Sequence, residues 1–345
     1  MKALVLEKTK KMAVRDFSIH EQLGPHDVRV KPLRVGICGS DIHYYLHGKI
    51  GDFTVTEPMV LGHEASGIVT EIGKEVTRLA VGDRVCMEPG IPSPDSPEFL
   101  EGMYNLDPSV AFWATPPVHG CLRETIVHPE QFTYKLPKTV SLEEGALVEP
   151  LAIGVYAAKK AYIVPGDSAL VIGAGTIGIV TALAALASGC SSVYISDISE
   201  DKLEFVKRHY GDKFIPLNAG KDDIRREIAK THPRGVNVVF EASGSPEAIA
   251  ALPSYTSPGG RVVLVGMPNE PAPIDIVALE VKEINISSVF RYANVFDRAI
   301  EFIASGQINV KPLHTHTFPF NEAAEALTFA SGMPADAVKV MISLE

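Results

Sequence analysis

ALVIGAGTIG, residues 169–178, decides the fold of the chain's second half. Ser168–Gly173 reads as a short apolar strand, and the glycines at 173, 175 and 178 follow it in the spacing GxGxxG. The spacing alone is weak evidence, because it could be merely a turn in a flavodoxin-like or regulatory domain. Its context makes it specific. A helix of small residues is expected over about Ile177–Ser188 and a second strand over Ser192–Ser196, and Asp197 stands at that strand's end, nineteen residues after Gly178. The three glycines do different physical work. Gly173 permits the tight turn, Gly175 lets the backbone approach a pyrophosphate, and Gly178 lets helix and strand pack closely. Gly173, Gly175, Thr176, Ile177 and Gly178 are therefore candidate cofactor-binding residues, with helix N-terminal amides turned toward phosphate. Asp197 is expected to accept bonds from the adenosine ribose hydroxyls and to repel a 2′-phosphate, which favours NAD over NADP.

The same alternation continues downstream. Val236–Glu241 and Gly260–Val265 read as strands, with Lys202–His209 and Lys221–Lys230 as amphipathic helices between the strands. Strands alternating with helices predict an α/β, doubly wound parallel sheet. Upstream the signal differs. Residues 1 to about 150 read as short strands, among them Lys2–Leu6, Val28–Val35 and Gly67–Ile72, broken by Gly and Pro turns, which predicts a mostly β domain. The proline-rich segment Pro92–Pro117 lacks periodicity and is expected to form a surface lobe. Residues 150–160 suit a helix, and after about residue 290 only a helix near Phe296–Ser305 and a closing strand Ala337–Ser343 are distinct.

Composition bounds the function. With 345 residues the chain can bury two cores, and 46% hydrophobic with 21% charged residues is ordinary for a globular protein. A net charge of −10 and the absence of a Lys/Arg stripe speak against a nucleic-acid partner. The N-terminal apolar run is too short for a signal peptide, and the apolar stretch Ala169–Ala187 is interrupted by glycine and threonine, so no membrane span is expected and a cytoplasmic protein is the simplest fit. Cys38, Cys86, Cys121 and Cys190 are dispersed, which argues against a disulfide framework.

A scattered set of possible metal ligands lies before the glycine loop. VGICGSDIH (35–43) carries Cys38, MVLGHEASG (59–67) carries His63 and Glu64, and Glu149 sits in LVEPL. Zinc accepts sulfur, nitrogen and oxygen ligands alike. A lone cysteine or histidine is often a core residue instead, but Glu149 among apolar neighbours is costly to bury without a cation. Zinc bound there would make proton loss from an alcohol accessible near neutral pH. Ser40 and His43, two and five residues after Cys38, could relay that proton to solvent.

GICGSDIHYY (36–45), PMVLGHEASG (58–67), GDRVCMEPG (82–90), GCLRE (120–124), EEGALVEPLAIG (143–154), VIGAGTIG (171–178) and SSVFRYAN (287–294) follow one another along the chain. In this order they resemble the zinc-containing medium-chain dehydrogenases, and among these the polyol branch of sorbitol and xylitol dehydrogenases. The resemblance implies a GroES-like β-barrel catalytic domain over 1–150, completed by about 291–345, and a Rossmann NAD-binding domain over 151–290. It implies zinc-dependent oxidation of a polyol's secondary hydroxyl to a ketose with NAD, and a homotetramer. Another medium-chain alcohol or threonine-type dehydrogenase, or a nucleotide-binding relative without activity, are the alternatives. Cys38 and His63 take the metal positions, and either Glu64 binds metal directly with Glu149 holding water beside it, or Glu64 stands behind the ligands. Asp41 matches the acid that orients the zinc histidine, Ser40 and His43 the proton relay, and Tyr44, Arg291 and Tyr292 the residues that reach substrate hydroxyls.

The chain departs from many relatives at one place. Where they carry four cysteines for a structural zinc, this sequence has Ser93, Ser96, Phe99 and Asp107. Serine is a poor zinc ligand and phenylalanine none, so packing is expected to hold the lobe, helped by Pro92, Pro94 and Pro97. Metal analysis of the purified protein is expected to return one zinc per chain; two tightly bound zinc ions would refute this.

Overall fold

Ser168–Ile172, the strand that enters the glycine loop, is buried along its whole length. Neighbours on both sides explain this burial. In the computed structural model, which describes residues 1–345, the sheet runs Ile215–Asn218, Ser192–Asp197, Ser168–Ile172, Val236–Glu241, Thr256–Leu264, Asn285–Ser288. Every pairing is parallel. Numbered along the chain, the strand order is 3-2-1-4-5-6, the doubly wound arrangement expected. The helix Thr176–Ala187 is buried from Gly178 to Ala185, which suits its small, uniformly apolar residues. Gly173 has φ +104°, and a Cβ on Gly178 would stand 1.8 Å from the Gly173 carbonyl oxygen, so both glycines are dictated by the backbone itself.

Two compact units result, Pro150–Val295 and Met1–Glu149 with Phe296–Glu345. In the latter, a seven-stranded sheet runs Thr133–Lys135, Arg84–Met87, Glu64–Ile72, Asp27–Gly36, Lys339–Ser343, His314–Pro319, with Ile126–Pro129 also pairing to Asp27–Gly36. The last-formed strand Lys339–Ser343 thus lies beside one of the first, antiparallel to it. Its core gathers Leu4, Leu6, Val35, Leu61, Leu122, Leu327 and Ile342 from both ends of the chain. The helix Gly39–His47, ended by Gly48 at φ +70°, carries Ser40, Asp41, His43 and Tyr44 and is an element that the sequence pattern did not predict. No helix is long and apolar enough to cross a membrane.

The proline-rich lobe is more ordered than packing alone requires. Asp107 Oδ2 accepts from the Ser93 amide at 2.7 Å, and Oδ1 accepts from the amide and hydroxyl of Ser109 at 2.8 and 2.7 Å. Ser96 caps the short helix Pro97–Leu100 by accepting from the Phe99 amide, and its hydroxyl also serves Asp107. Tyr104 then ties the lobe inward by donating to Glu88 Oε1 at 2.7 Å, while Tyr134 donates to Oε2 at 2.9 Å. Hydrogen bonds centred on Asp107 and Glu88 therefore supplement packing in the lobe.

His128 is fully buried beside this anchor; its Nε2–H donates to the Glu88 carbonyl at 2.9 Å, and Trp113 lies against the ring. Burial lowers its pKa to about 4, and the Arg123 cation adds to the effect. An imidazole held neutral in the fold takes up its proton more readily when unfolded, so its contribution is present above the unfolded pKa of about 6.5 and is lost as pH falls toward 4. Urea denaturation across pH 7 to 4 is expected to show a loss of about 3 kcal/mol in the wild type that His128→Gln lacks; parallel curves would contradict it.

Candidate active site

Cys38 occupies the N-cap of the Gly39–His47 helix, with extended backbone dihedrals. Asp41, at the third helical position, accepts from the Cys38 amide at 3.0 Å through Oδ2 and from the Gly62 amide at 2.9 Å through Oδ1. One buried carboxylate thus pins both backbone segments that carry ligands. Its oxygen is 3.9 Å from His63 Nδ1, an ionic contact longer than a hydrogen bond, so Asp41 organises the site through the backbone more than through the imidazole.

His63 is placed by glycine. Gly62 has φ +87°, and a Cβ there would meet Leu122 Cγ at 2.8 Å. The amides of Gly120, Cys121 and Leu122 donate to the carbonyls of Val60, Gly62 and Leu61, and a Cβ on Gly120 would come within 2.4 Å of two of those oxygens. The segments GHE and GCLRE are therefore two halves of one backbone clasp. On the far side of His63 lies the Phe112 ring, at 5.7 Å between centroids.

Glu64 opens the next strand and pairs directly with Gly36. Ligand atoms of Cys38, His63 and Glu64 all lie within 4.8 Å of one another. Glu149 is buried in the first turn of Val148–Lys160, close enough to act electrostatically on His63. A further residue joins them: Lys339, buried, donates from Nζ to Glu64 Oε1 at 2.7 Å and to the Ile37 carbonyl at 2.9 Å. A lone lysine at the head of the apolar strand KVMIS was its only signal in the sequence.

This donor set suits a divalent cation. His63 Nδ1 and Glu64 Oε2 are buried without hydrogen-bond partners. Burial pulls the His63 imidazole down, yet Cys38, Asp41 and Glu149 together raise it to about 10, which shows how strongly the enclosed negative charge calls for a cation. Sulfur, nitrogen and carboxylate oxygen at these distances are a zinc-type set.

Ser40, His43 and Tyr44 lie on the helix that Cys38 caps. Ser40 is half-buried and His43 exposed on the same helix, with His43 5.7 Å from the His47 ring. Tyr44 is packed into the core of its unit. Arg291 and Tyr292 belong to the other unit; Arg291, with φ +55°, lies over the Phe290 ring, and Tyr292 is buried. In the glycine loop, Asp197 accepts from the Ala174 amide at 2.8 Å and the Ser199 amide at 2.9 Å. A Cβ on Gly175 meets no protein atom within 4 Å, so packing within the chain does not require glycine there and the space beside its backbone is open to a ligand.

Comparison with known proteins agrees with this geometry. The alcohol dehydrogenase GroES-like domain matches residues 24–138, and the zinc-binding dehydrogenase domain matches residues 176–305. A D-xylulose reductase of Morganella morganii is 54% identical over 331 residues, covering 94% of this chain and 96% of that protein. The chain belongs to the zinc-containing medium-chain dehydrogenases, in their polyol branch. Sorbitol dehydrogenase of Rattus norvegicus is 42% identical over 345 residues, covering 99% of this chain and 96% of that protein. The crystal structure of L-idonate 5-dehydrogenase from Escherichia coli superposes with a TM-score of 0.91 at 29% identity, covering 99% and 98% of the two chains. As a medium-chain dehydrogenase the protein is an oxidoreductase that uses zinc and a nicotinamide cofactor.

Asp41→Ala removes the shared acceptor of the Cys38 and Gly62 amides. Zinc affinity, measured by competition with a chromophoric chelator, is expected to fall about 10- to 100-fold; wild-type affinity would show that the ligand segments hold themselves.

Proposed function

We propose that the chain oxidises a secondary hydroxyl of a polyol to the ketose, and reduces the ketose in reverse, with NAD and a single zinc ion held by Cys38, His63 and Glu64. The convergence of these three ligands carries the reading. The polyol is supported by relatives named D-xylulose reductase and sorbitol dehydrogenase. When bound, zinc supplies Lewis acidity toward the substrate hydroxyl and the nicotinamide supplies the hydride acceptor.

The chain's own residues do the rest. Cys38 and Glu64 hold negative charge against the ion, and Asp41 fixes the segments that carry Cys38 and His63. Glu149 stands outside the three-ligand group and bonds a second substrate hydroxyl. Ser40 Oγ takes the hydroxyl proton and the exposed His43 imidazole passes it to water. Arg291 and Tyr292 donate to the remaining hydroxyls, and Tyr44 contributes from the helix that bears the relay. The chain assembles as a homotetramer, a part of the proposal that rests on family resemblance only.

Asp197 supports NAD. Its carboxylate accepts from the amides of Ala174 and Ser199 and from Lys202 Nζ, which leaves acceptor capacity for a ribose hydroxyl. Lys202 Nζ is 3.5 Å from Oδ2, but the lysine side chain is 48% exposed and Asp197 10%, so solvent screens the cation more than the carboxylate. A 2′-phosphate would meet the less screened negative charge.

Steady-state assays with xylitol, sorbitol, L-arabinitol and galactitol test the reading. Turnover is expected with at least one of them, to vanish on chelation and to return with zinc. kcat/KM with NAD is expected to exceed that with NADP by about 100-fold, equivalent to about 3 kcal/mol of like-charge repulsion. Glu149→Ala should lose most turnover while keeping NAD affinity. Metal-independent turnover, or a preference for NADP, would sink the proposal.

A further inference from the structure

An ammonium buried in a protein interior needs a counter-ion and acceptors for its remaining protons, because taking each ion out of water is costly. Lys339 has both. It is 4% exposed and Glu64 1%, and its protons go to Glu64 Oε1 and the Ile37 carbonyl. The second oxygen, Glu64 Oε2, is buried and has no hydrogen-bond partner.

The contact spans three strands. Lys339 begins Lys339–Ser343, Glu64 begins Glu64–Ile72, and Asp27–Gly36 runs between them, with Gly36 directly opposite Glu64. A Cβ on Gly36 would stand 2.1 Å from Glu64 Oε2. Glycine at 36 therefore opens the lane across which the carboxylate reaches the lysine.

Lysine offers a point charge, whereas arginine offers a planar fork that takes both oxygens of a carboxylate. The geometry points to Lys339 as a positioning residue for the metal: it claims one oxygen of Glu64, leaves the other for the ion, and so sets how firmly the ion is held. This deepens the zinc reading above and rests on it. Without the ammonium, both oxygens turn to the ion and the repulsion between two cations disappears. With a fork in its place, both oxygens are withdrawn. A lysine that merely stabilised the fold would give the opposite sign in the first case, loosening the ion as the site slackened.

Zinc affinity by chelator competition and the visible absorption of the cobalt(II)-loaded protein read these effects without reference to turnover. Lys339→Met is expected to bind zinc at least about tenfold more tightly, and Lys339→Arg at least about tenfold more weakly, each with altered cobalt bands. Values within twofold of wild type with unchanged bands, or weaker binding by Lys339→Met, would overturn the inference. Lys339→Arg keeps the buried pair paired; should Lys339→Met fail to fold, the arginine variant decides alone by the same limits. A wild-type chain that binds neither zinc nor cobalt would remove the zinc reading itself, a result separable from unchanged variants of a metal-binding wild type.

Discussion

A carboxylate or thiolate taken out of water loses hydration that the interior restores only if a cation or several N–H donors face it. Cys38, Glu64 and Glu149 are gathered around Lys339, and the buried carboxylate of Asp41 stands 3.9 Å from His63, so acidic groups outnumber the single ammonium. A divalent cation offsets much of that excess. Much of the surrounding unit can be understood as the means of enclosing this charge: the helix that starts at Cys38, the clasp around Gly62, and the buried carboxylate of Asp41 that joins the two.

The nucleotide-binding half was readable because its signals are local. Ser168–Ile172 is a continuous apolar run because neighbours flank it on both sides, and the strand at Val236–Glu241 stands as read. The misses in that half also have local reasons. Ile215–Asn218 and Asn285–Ser288 are four-residue edge strands, too short for a periodic pattern. Pro246–Tyr255 carries Pro253 within it, which reads as a break, although Ser245 followed by Pro246 is a proper start signal. Thr256–Leu264 begins four residues before the stretch read as strand, through a run whose Pro258, Gly259 and Gly260 suggest a turn.

The first half was less readable because its organising contacts join distant residues. Spacing in the sequence could nominate Cys38, His63 and Glu64, but nothing in the order of residues places Glu64 beside Lys339, 275 positions away. The return of the chain to the first unit came from the resemblance alone, and the strands His314–Pro319 and Lys339–Ser343 supply it. Asp41 lies beside the imidazole, 3.9 Å from His63 Nδ1, and in addition serves two backbone amides, a role that depends on where Gly62 comes to rest.

The strand Lys339–Ser343 has a consequence for how the protein is made. Synthesis proceeds from the N-terminus, and early segments begin to fold before late ones exist. Cys38, His63 and Glu64 leave the ribosome hundreds of residues before Lys339, so a growing chain carries the negative part of the site without its lysine counter-ion. Only after the strand Lys339–Ser343 has been released and has docked beside Asp27–Gly36 does Lys339 meet Glu64. Formation of this contact is thereby tied to release of the strand Lys339–Ser343, and a chain that stops short of it would retain Cys38, His63 and Glu64 but never the contact that divides Glu64.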